Sequence, residues 1–257
     1  MTSRLFAEIT GTDSGHDPIL LLHSLGLDHT MWRSCAPYLA AGRRLIIVDL
    51  PDHGRSPAGA DTGAGLLALL DAAGAARAHA VGVSLGGNEA LALAARAPER
   101  VRSVTASGSF AFLDDTERVA RLEATVTRAA ELGMAAFADA YIAGTLDAEA
   151  REKDGHRLRE VLAGTPPEAY AAAARRCFAT DLRPLLPAVR CPVLLLVGEH
   201  DTRTPRSSAE GIAAGLTHAE IQEIPGAGHL ANVDEPRRFT AALQTFWDTD
   251  RPANVTG

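Results

Sequence analysis

Short apolar runs bounded by turn residues recur along the chain at Ile19–Leu22, Leu45–Val48, Ala78–Val83, Val101–Ala106, Val193–Val197 and Ala219–Ile224. A strand covered by helices on both faces has no polar face, so it reads as a continuous apolar run rather than an alternation. Stretches with helical spacing separate most of these runs. Together they predict an α/β fold, doubly wound around a mostly parallel sheet.

The alternation stops between about Phe110 and Arg183. Helical segments follow one another there. The first, 115–132, puts Val119, Leu122, Val126 and Ala129 on one stripe; others are expected near 134–143, 147–163 and 167–178, punctuated by Gly133, Gly144, Pro166 and Pro167. An all-helical insert in a β/α chain reads as a cap, which divides the chain into a core of residues 1–112 and 183–257 and a helical cap of residues 113–182.

Composition narrows the function classes. With 257 residues, 46% hydrophobic and 22% charged, the chain can bury a substantial core and is ordinary globular protein. Its net charge of −7 comes from 32 acidic and 25 basic side chains with no Lys/Arg cluster, which argues against a nucleic-acid partner. No apolar run approaches the roughly 18 residues of a membrane span. The start, MTSRLFAEIT, lacks a basic stretch followed by an apolar core, so a cytoplasmic location is expected. The Ala-rich, Arg-over-Lys usage, with Lys153 the single lysine, suggests a bacterial, high-GC source. Cys35, Cys177 and Cys191 are scattered and form no metal-like spacing, so buried thiols and no metal or cofactor are expected.

Candidate chemistry centres on Val81-Gly82-Val83-Ser84-Leu85-Gly86-Gly87-Asn88. Glycines at this density imply a backbone in close quarters or at positive φ. Gly82-x-Ser84-x-Gly86 fits a nucleophile elbow, a sharp strand-to-helix turn that lifts the serine hydroxyl above the sheet. Chance alone produces such a pattern in about one chain of this length in ten. Context supplies the specificity: a strand candidate precedes Ser84, and Asn88–Arg96 is a good helix.

A serine hydroxyl is a weak nucleophile until a base, itself oriented by a third group, takes its proton. Of nine histidines, His229 follows the last strand candidate in Pro225-Gly226-Ala227-Gly228-His229, at the sheet edge where α/β sites gather. The order serine, acid, histidine disfavours His23, while His53 and His200 could line a site. Asp201, just beyond Val193–Val197, is the favoured acid, with Glu199 and Asp114 or Asp115 as competitors. The expected oxyanion donors are the backbone N–H groups of Leu85 and of Leu25 in His23-Ser24-Leu25-Gly26.

Five ordered motifs, HSLG at 23–26, DLPDHGRS at 49–56, the Ser84 elbow, GEHD at 198–201 and GAGH at 226–229, resemble the α/β-hydrolase superfamily over about residues 4 to 247. The nearest resemblance is to the 3-oxoadipate enol-lactonase-like group, through LLHSLGLDHTMW at 21–32, GMAAFADAYI at 133–142 and the stretch 166–201. That resemblance implies an eight-stranded, mostly parallel sheet with a helical cap between strands six and seven. It implies hydrolysis of a small ester or lactone without metal or cofactor, with Ser84, Asp201 and His229 as the triad. Ser24, Trp32, Phe137 and Tyr141 are the candidate substrate contacts.

The departures bear on substrate. Ala58–Gly65 is short where relatives carry a longer helix, which suggests a more open pocket wall. The cap holds no tryptophan, and its candidate cations Arg128, Arg175 and Arg176 read as a solvated face. The same triad could serve carbon–carbon bond hydrolysis, perhydrolysis or a tailoring step. A non-catalytic ligand-binding protein is the remaining alternative, and the oligomeric state is unspecified.

Overall fold

The computed structural model describes residues 4–13 and 15–249. Seven strands form one sheet: β1 (Ala7–Gly11), β2 (Ile19–Leu22), β3 (Arg44–Val48), β4 (Ala78–Val83), β5 (Val101–Ser107), β6 (Val193–Gly198) and β7 (Ala219–Ile224). Their spatial order is β1-β3-β2-β4-β5-β6-β7. Only β1 runs antiparallel to its neighbour; every other pairing is parallel.

The six runs all became strands, and burial on both faces explains the five interior ones; β7 is a mostly exposed edge. In β2, Leu20 and Leu22 face one apolar layer while Ile19 and Leu21 face the other. In β6, Val193, Leu195 and Val197 alternate with Leu194 and Leu196 in the same way. Each fully buried aliphatic side chain contributes about 1.5–3 kcal/mol, so both faces drive the sheet into the interior.

Two expectations are corrected. The sheet has seven strands among the described residues rather than eight, and the helical insert lies between the fifth and sixth of them. β1 has no apolar run to announce it because Ala-Glu-Ile-Thr-Gly is an exposed edge strand, with Ile9 52% accessible. Of the thiols, Cys35 and Cys177 are buried but Cys191 only partly so.

The insert contains the expected helices with altered register. Asp114 caps Asp115–Leu122 through a reciprocal box with Glu117. A π-helical turn at Glu123–Thr127 then precedes Arg128–Leu132. Leu122, Val126 and Ala129 pack on the core as the stripe predicts, whereas Val119 leaves it and is exposed at 59%; Thr125 is buried as well. Met134–Ala143 and Pro167–Phe178 form as expected, and a second π turn, Arg151–Gly155, interrupts the helix between them.

Polar ties join insert and core. Arg176 pairs with buried Asp52, so it is not simply a solvated cation. Asp147 N–H donates to Asp234 Oδ1 at 3.2 Å, and Arg203 Nη2 donates to Thr145 Oγ1 at 3.0 Å. The segment after Ala58 becomes helical at Thr62, capped by Asp61, earlier than the sequence suggests. None of residues 58–72 lines the cavity described below, so their shortness does not open its wall.

Candidate active site

Ser84 sits at the junction of β4 and the helix Leu85–Arg96 with φ 55° and ψ −117°. A non-glycine residue held there stores about 1–3 kcal/mol of strain. The glycines relieve crowding instead. A Cβ on Gly82 would lie 2.1 Å from the Gly86 carbonyl, and one on Gly86 would lie 2.2 Å from the Leu22 carbonyl oxygen. Helix and strand ends therefore touch backbone to backbone, while the serine carries the positive φ. The turn is fixed by Ser84 N–H donating to Ser107 O at 2.7 Å and by Ser109 Oγ donating to Ser84 O at 3.0 Å.

Asp201 and His229 meet beyond the ends of β6 and β7. His229 Nδ1 lies 3.0 Å from Asp201 Oδ2. A carboxylate only accepts, so Nδ1 carries the proton and Nε2 is left as the ring's acceptor. Burial alone would raise the Asp201 carboxyl; the hydrogen bond and charge of His229 with two donors from Thr204 outweigh it and hold the group below its usual range. Thr204 Oγ1 is 2.6 Å from Asp201 Oδ2 and 3.2 Å from His229 Nδ1. The N–H groups of Arg203 and Thr204 reach Asp201 Oδ1 at 2.9 and 3.0 Å.

The competing acids have other work. Glu199 accepts Gly226 N–H at 2.8 Å, Asp114 caps a helix, and Asp115 pairs with Arg118. Among the described residues no hydrogen bond joins Ser84 to His229, although both line one cavity. Such contacts are commonly long in unliganded sites and shorten once substrate is bound.

The backbone N–H groups of Leu25 and Leu85 donate to no protein acceptor among the described residues. Two buried histidines brace the first of these loops. His23 Nε2 accepts Leu50 N–H at 2.9 Å, His53 Nε2 accepts Gly26 N–H at 3.0 Å, and the rings meet edge to face at 4.8 Å. Desolvation pushes both imidazoles below their usual range, keeping them neutral and able to accept. Neither lines the cavity, and His200 is exposed beside Glu199.

The cavity, about 360 Å³, holds Ser84 and His229 with Ser24, Leu25 and Tyr141 in its wall. Burial raises the Tyr141 pKa, against the opposing charge of Arg203 and smaller opposing contributions from Ser24 and Thr145. Two expected contacts are corrected. Trp32 is fully buried 6.0 Å from the Phe239 ring, in the opposite apolar layer. Phe137 stands behind Tyr141 and Tyr170, at 6.3 and 5.4 Å, and does not reach the cavity. Sequence reasoning missed Arg121, Tyr170, Arg203 and Thr204, all in the lining. Thr204 had a signal: an Asp with a Thr three residues on favours a local side-chain turn. Arg121 had none, being one arginine among many on a helix.

Asp28, His29 and Asp49 bring ligand-type atoms within 4.8 Å of one another. Their oxygens already hold the turn: Asp28 caps Thr30, and Asp49 accepts from His29 and Arg55. Among the described residues no helix is long and apolar enough to cross a membrane.

Known proteins share this architecture. The α/β-hydrolase fold family matches residues 17–236. A pimeloyl-[acyl-carrier protein] methyl ester esterase of Edwardsiella ictaluri is 33% identical over 96% of this chain and 98% of its own. The 3-oxoadipate enol-lactonase 1 of Acinetobacter baylyi is 27% identical over 94% of this chain and 92% of its own. The crystal structure of the enol-lactonase from Burkholderia xenovorans LB400 superposes with a TM-score of 0.83 at 29% identity, over 95% of this chain and 96% of that one. With a sheet, an elbow and a match of this extent, the chain belongs to the α/β-hydrolase fold family.

Proposed function

We propose that this chain is a serine hydrolase of small carboxylic esters or lactones, working through an acyl-enzyme on Ser84. The observation that carries the reading is the Asp201–His229 hydrogen bond at 3.0 Å, opening on the same cavity as a serine held at positive φ. Relatives named as an enol-lactonase and a methyl ester esterase support an ester-type bond as the target.

In this mechanism His229 Nε2 takes the Ser84 proton as Oγ attacks the ester carbonyl. Asp201 keeps the imidazole in the Nδ1–H tautomer and stabilises the imidazolium. The Leu25 and Leu85 N–H groups receive the oxyanion, each such donor contributing about 3–4 kcal/mol to the transition state. His229 then protonates the leaving alkoxide, and water, activated by the same imidazole, releases the acid. Residues 113–182 act as a cap that limits the cavity to small substrates. The chemistry needs no metal or cofactor, and a cytoplasmic location fits the sequence.

The test is hydrolysis of a panel of short-chain esters and lactones, with products identified. Turnover by the wild type and its loss in folded Ser84→Ala is the expected result; full activity in the variant would refute the mechanism. Products of carbon–carbon cleavage or of perhydrolysis would assign the triad to a different reaction.

A further inference from the structure

Among the described residues, two that are not glycine hold a positive φ: Ser84 at the elbow and Asp52 at 66°. Asp52 belongs to the loop after β3, and its side chain is only 4% exposed. A residue strained in this way persists only where its surroundings over-determine it. Two donors do so here. Gly59 N–H donates to Asp52 Oδ1 at 3.2 Å, and Arg176 Nη2 donates to Asp52 Oδ2 from the insert helix Pro167–Phe178. The ion pair joins positions 124 residues apart. Arg176 itself is half-exposed and stands outside the cavity that holds Ser84.

The residue after Asp52 is His53, which touches the loop of the candidate oxyanion donor Leu25. A carbonyl only accepts, so the contact of His53 Nδ1 with Pro51 O at 2.8 Å puts the proton on Nδ1. Nε2 is then free to accept Gly26 N–H at 3.0 Å. Gly26 is the third residue of the turn Ser24–Leu27, closed by Leu27 N–H donating to Ser24 O at 3.2 Å, and its φ of 77° makes the turn type II. Types I and II differ in the facing of the central peptide, here Leu25–Gly26, and the bond to His53 selects one of them. The helix that carries Arg176 also presses on this turn. A Cβ on Gly26 would lie 2.9 Å from Tyr170 Cε2, and 2.7 Å from Leu162 Cδ1 on the neighbouring helix His156–Gly164. The insert therefore reaches the Leu25 loop twice, by contact at Gly26 and through Arg176, Asp52 and His53.

We propose that Arg176 is a positioning residue for the oxyanion hole: by holding Asp52 it fixes His53 against Gly26 N–H and keeps the Leu25 N–H aimed at the reacting carbonyl oxygen. This rests on the hydrolase reading above. The charges around His53 act in the same sense. Desolvation lowers its pKa; the Pro51 carbonyl and the charge of Asp52 oppose that, Arg176 lowers it further, and Asp49 raises it. His23, whose ring lies 4.8 Å away, is itself held neutral by burial, and Glu89 on the helix Leu85–Arg96 interacts with the charge of Arg176. Without Arg176, the unpaired Asp52 would favour a His53 imidazolium, whose Nε2–H cannot accept from Gly26. A neutral His53 and an aligned Leu25 loop thus depend on one guanidinium outside the cavity.

The test measures kcat and KM for 4-nitrophenyl acetate in the wild type, Arg176→Met and Arg176→Lys, with fluorophosphonate titration of Ser84 counting the folded sites. In Arg176→Met kcat should fall by about 10- to 100-fold with KM changed by less than about twofold, because a displaced oxyanion donor is felt in the transition state alone. Arg176→Lys keeps the charge beside Asp52 and should return kcat to within about threefold of wild type. The ratio of wild-type to Arg176→Met kcat should also grow from about pH 8 to about pH 6, as His53 in the variant takes up its proton. A folded Arg176→Met with wild-type kcat, or with a change in KM alone, overturns the proposal, and the active wild type leaves the hydrolase reading intact. If the wild type hydrolyses no ester, that reading falls, and hydrogen exchange still decides whether Arg176 holds the turn: faster amide exchange of the peptide containing Ser24–Leu27 in Arg176→Met supports it, and unchanged exchange refutes it.

Discussion

Gly86→Ala tests whether the backbone contact under Ser84 sets the oxyanion geometry. The added Cβ would lie 2.2 Å from Leu22 O, 2.5 Å from Leu22 C and 2.8 Å from His23 O. None of these atoms is a flexible side-chain end, so the strand end and the helix Leu85–Arg96 must separate by about 1 Å to reach van der Waals contact. Overpacking of this kind costs about 1–3 kcal/mol, which for a domain of this size lowers Tm by roughly 2–12 °C. The catalytic loss should be larger. Leu22 and His23 lead into Leu25, and Gly86 follows Leu85, so the shift moves the two oxyanion donors apart. A displacement of about 1 Å in a reacting constellation reduces turnover by about 100-fold. The assay is kcat and KM on one short-chain ester, with Tm measured in parallel. We expect kcat to fall by about two orders of magnitude with KM changed little, as for an interaction made only in the transition state. A variant with wild-type kcat and Tm would refute the reasoning.

Three further outcomes rest on the hydrogen bonds of the site. Asp201→Asn should lower kcat by about 10³–10⁴-fold through the wrong imidazole tautomer; activity near wild type in steady-state assays would remove Asp201 as the orienting acid. Thr204→Val deletes the hydroxyl at 2.6 Å from Asp201 Oδ2 while leaving the backbone donors. It should reduce kcat about tenfold, and an unchanged kcat would make Thr204 a bystander. Asp234 accepts the N–H groups of Gly228 and Asp147, and burial raises its pKa from 3.8 to about 6. Between those values the native state binds the proton more tightly than the unfolded chain, so this group makes stability fall as pH rises through the window. Asp234→Asn removes that contribution, and Tm of the variant minus Tm of wild type should climb from pH 4 to pH 7. Parallel Tm curves would contradict the assignment.

How much the sequence disclosed depends on how each feature is encoded. Strands buried on both faces read as largely apolar runs, so β2 to β6 were legible on that ground, whereas the two edge strands are exposed: β7 alternates apolar with polar residues along Ala219–Ile224, and β1 has no apolar run. Ser84, Asp201 and His229 were legible because chain order and loop position mark them, and the structure brings all three to one end of the sheet. The direction of a side chain on a helix was not. Val119 shares helical spacing with Leu122, Val126 and Ala129, yet it faces solvent while those three pack on the core. Trp32 could have faced either a pocket or a core, and the apolar layer around Phe239 claims it. Arg121 and Arg203 lie 82 residues apart and become a pair only when the insert folds onto the loop after β6.

The central claim is an activated Ser84. Intact-mass measurement after exposure to a fluorophosphonate, with wild type beside Ser84→Ala, tests it most directly. An activated Ser84 gives one covalent adduct on the wild type and none on the folded variant. A folded wild type that stays unlabelled, or a variant labelled to the same extent, would contradict it.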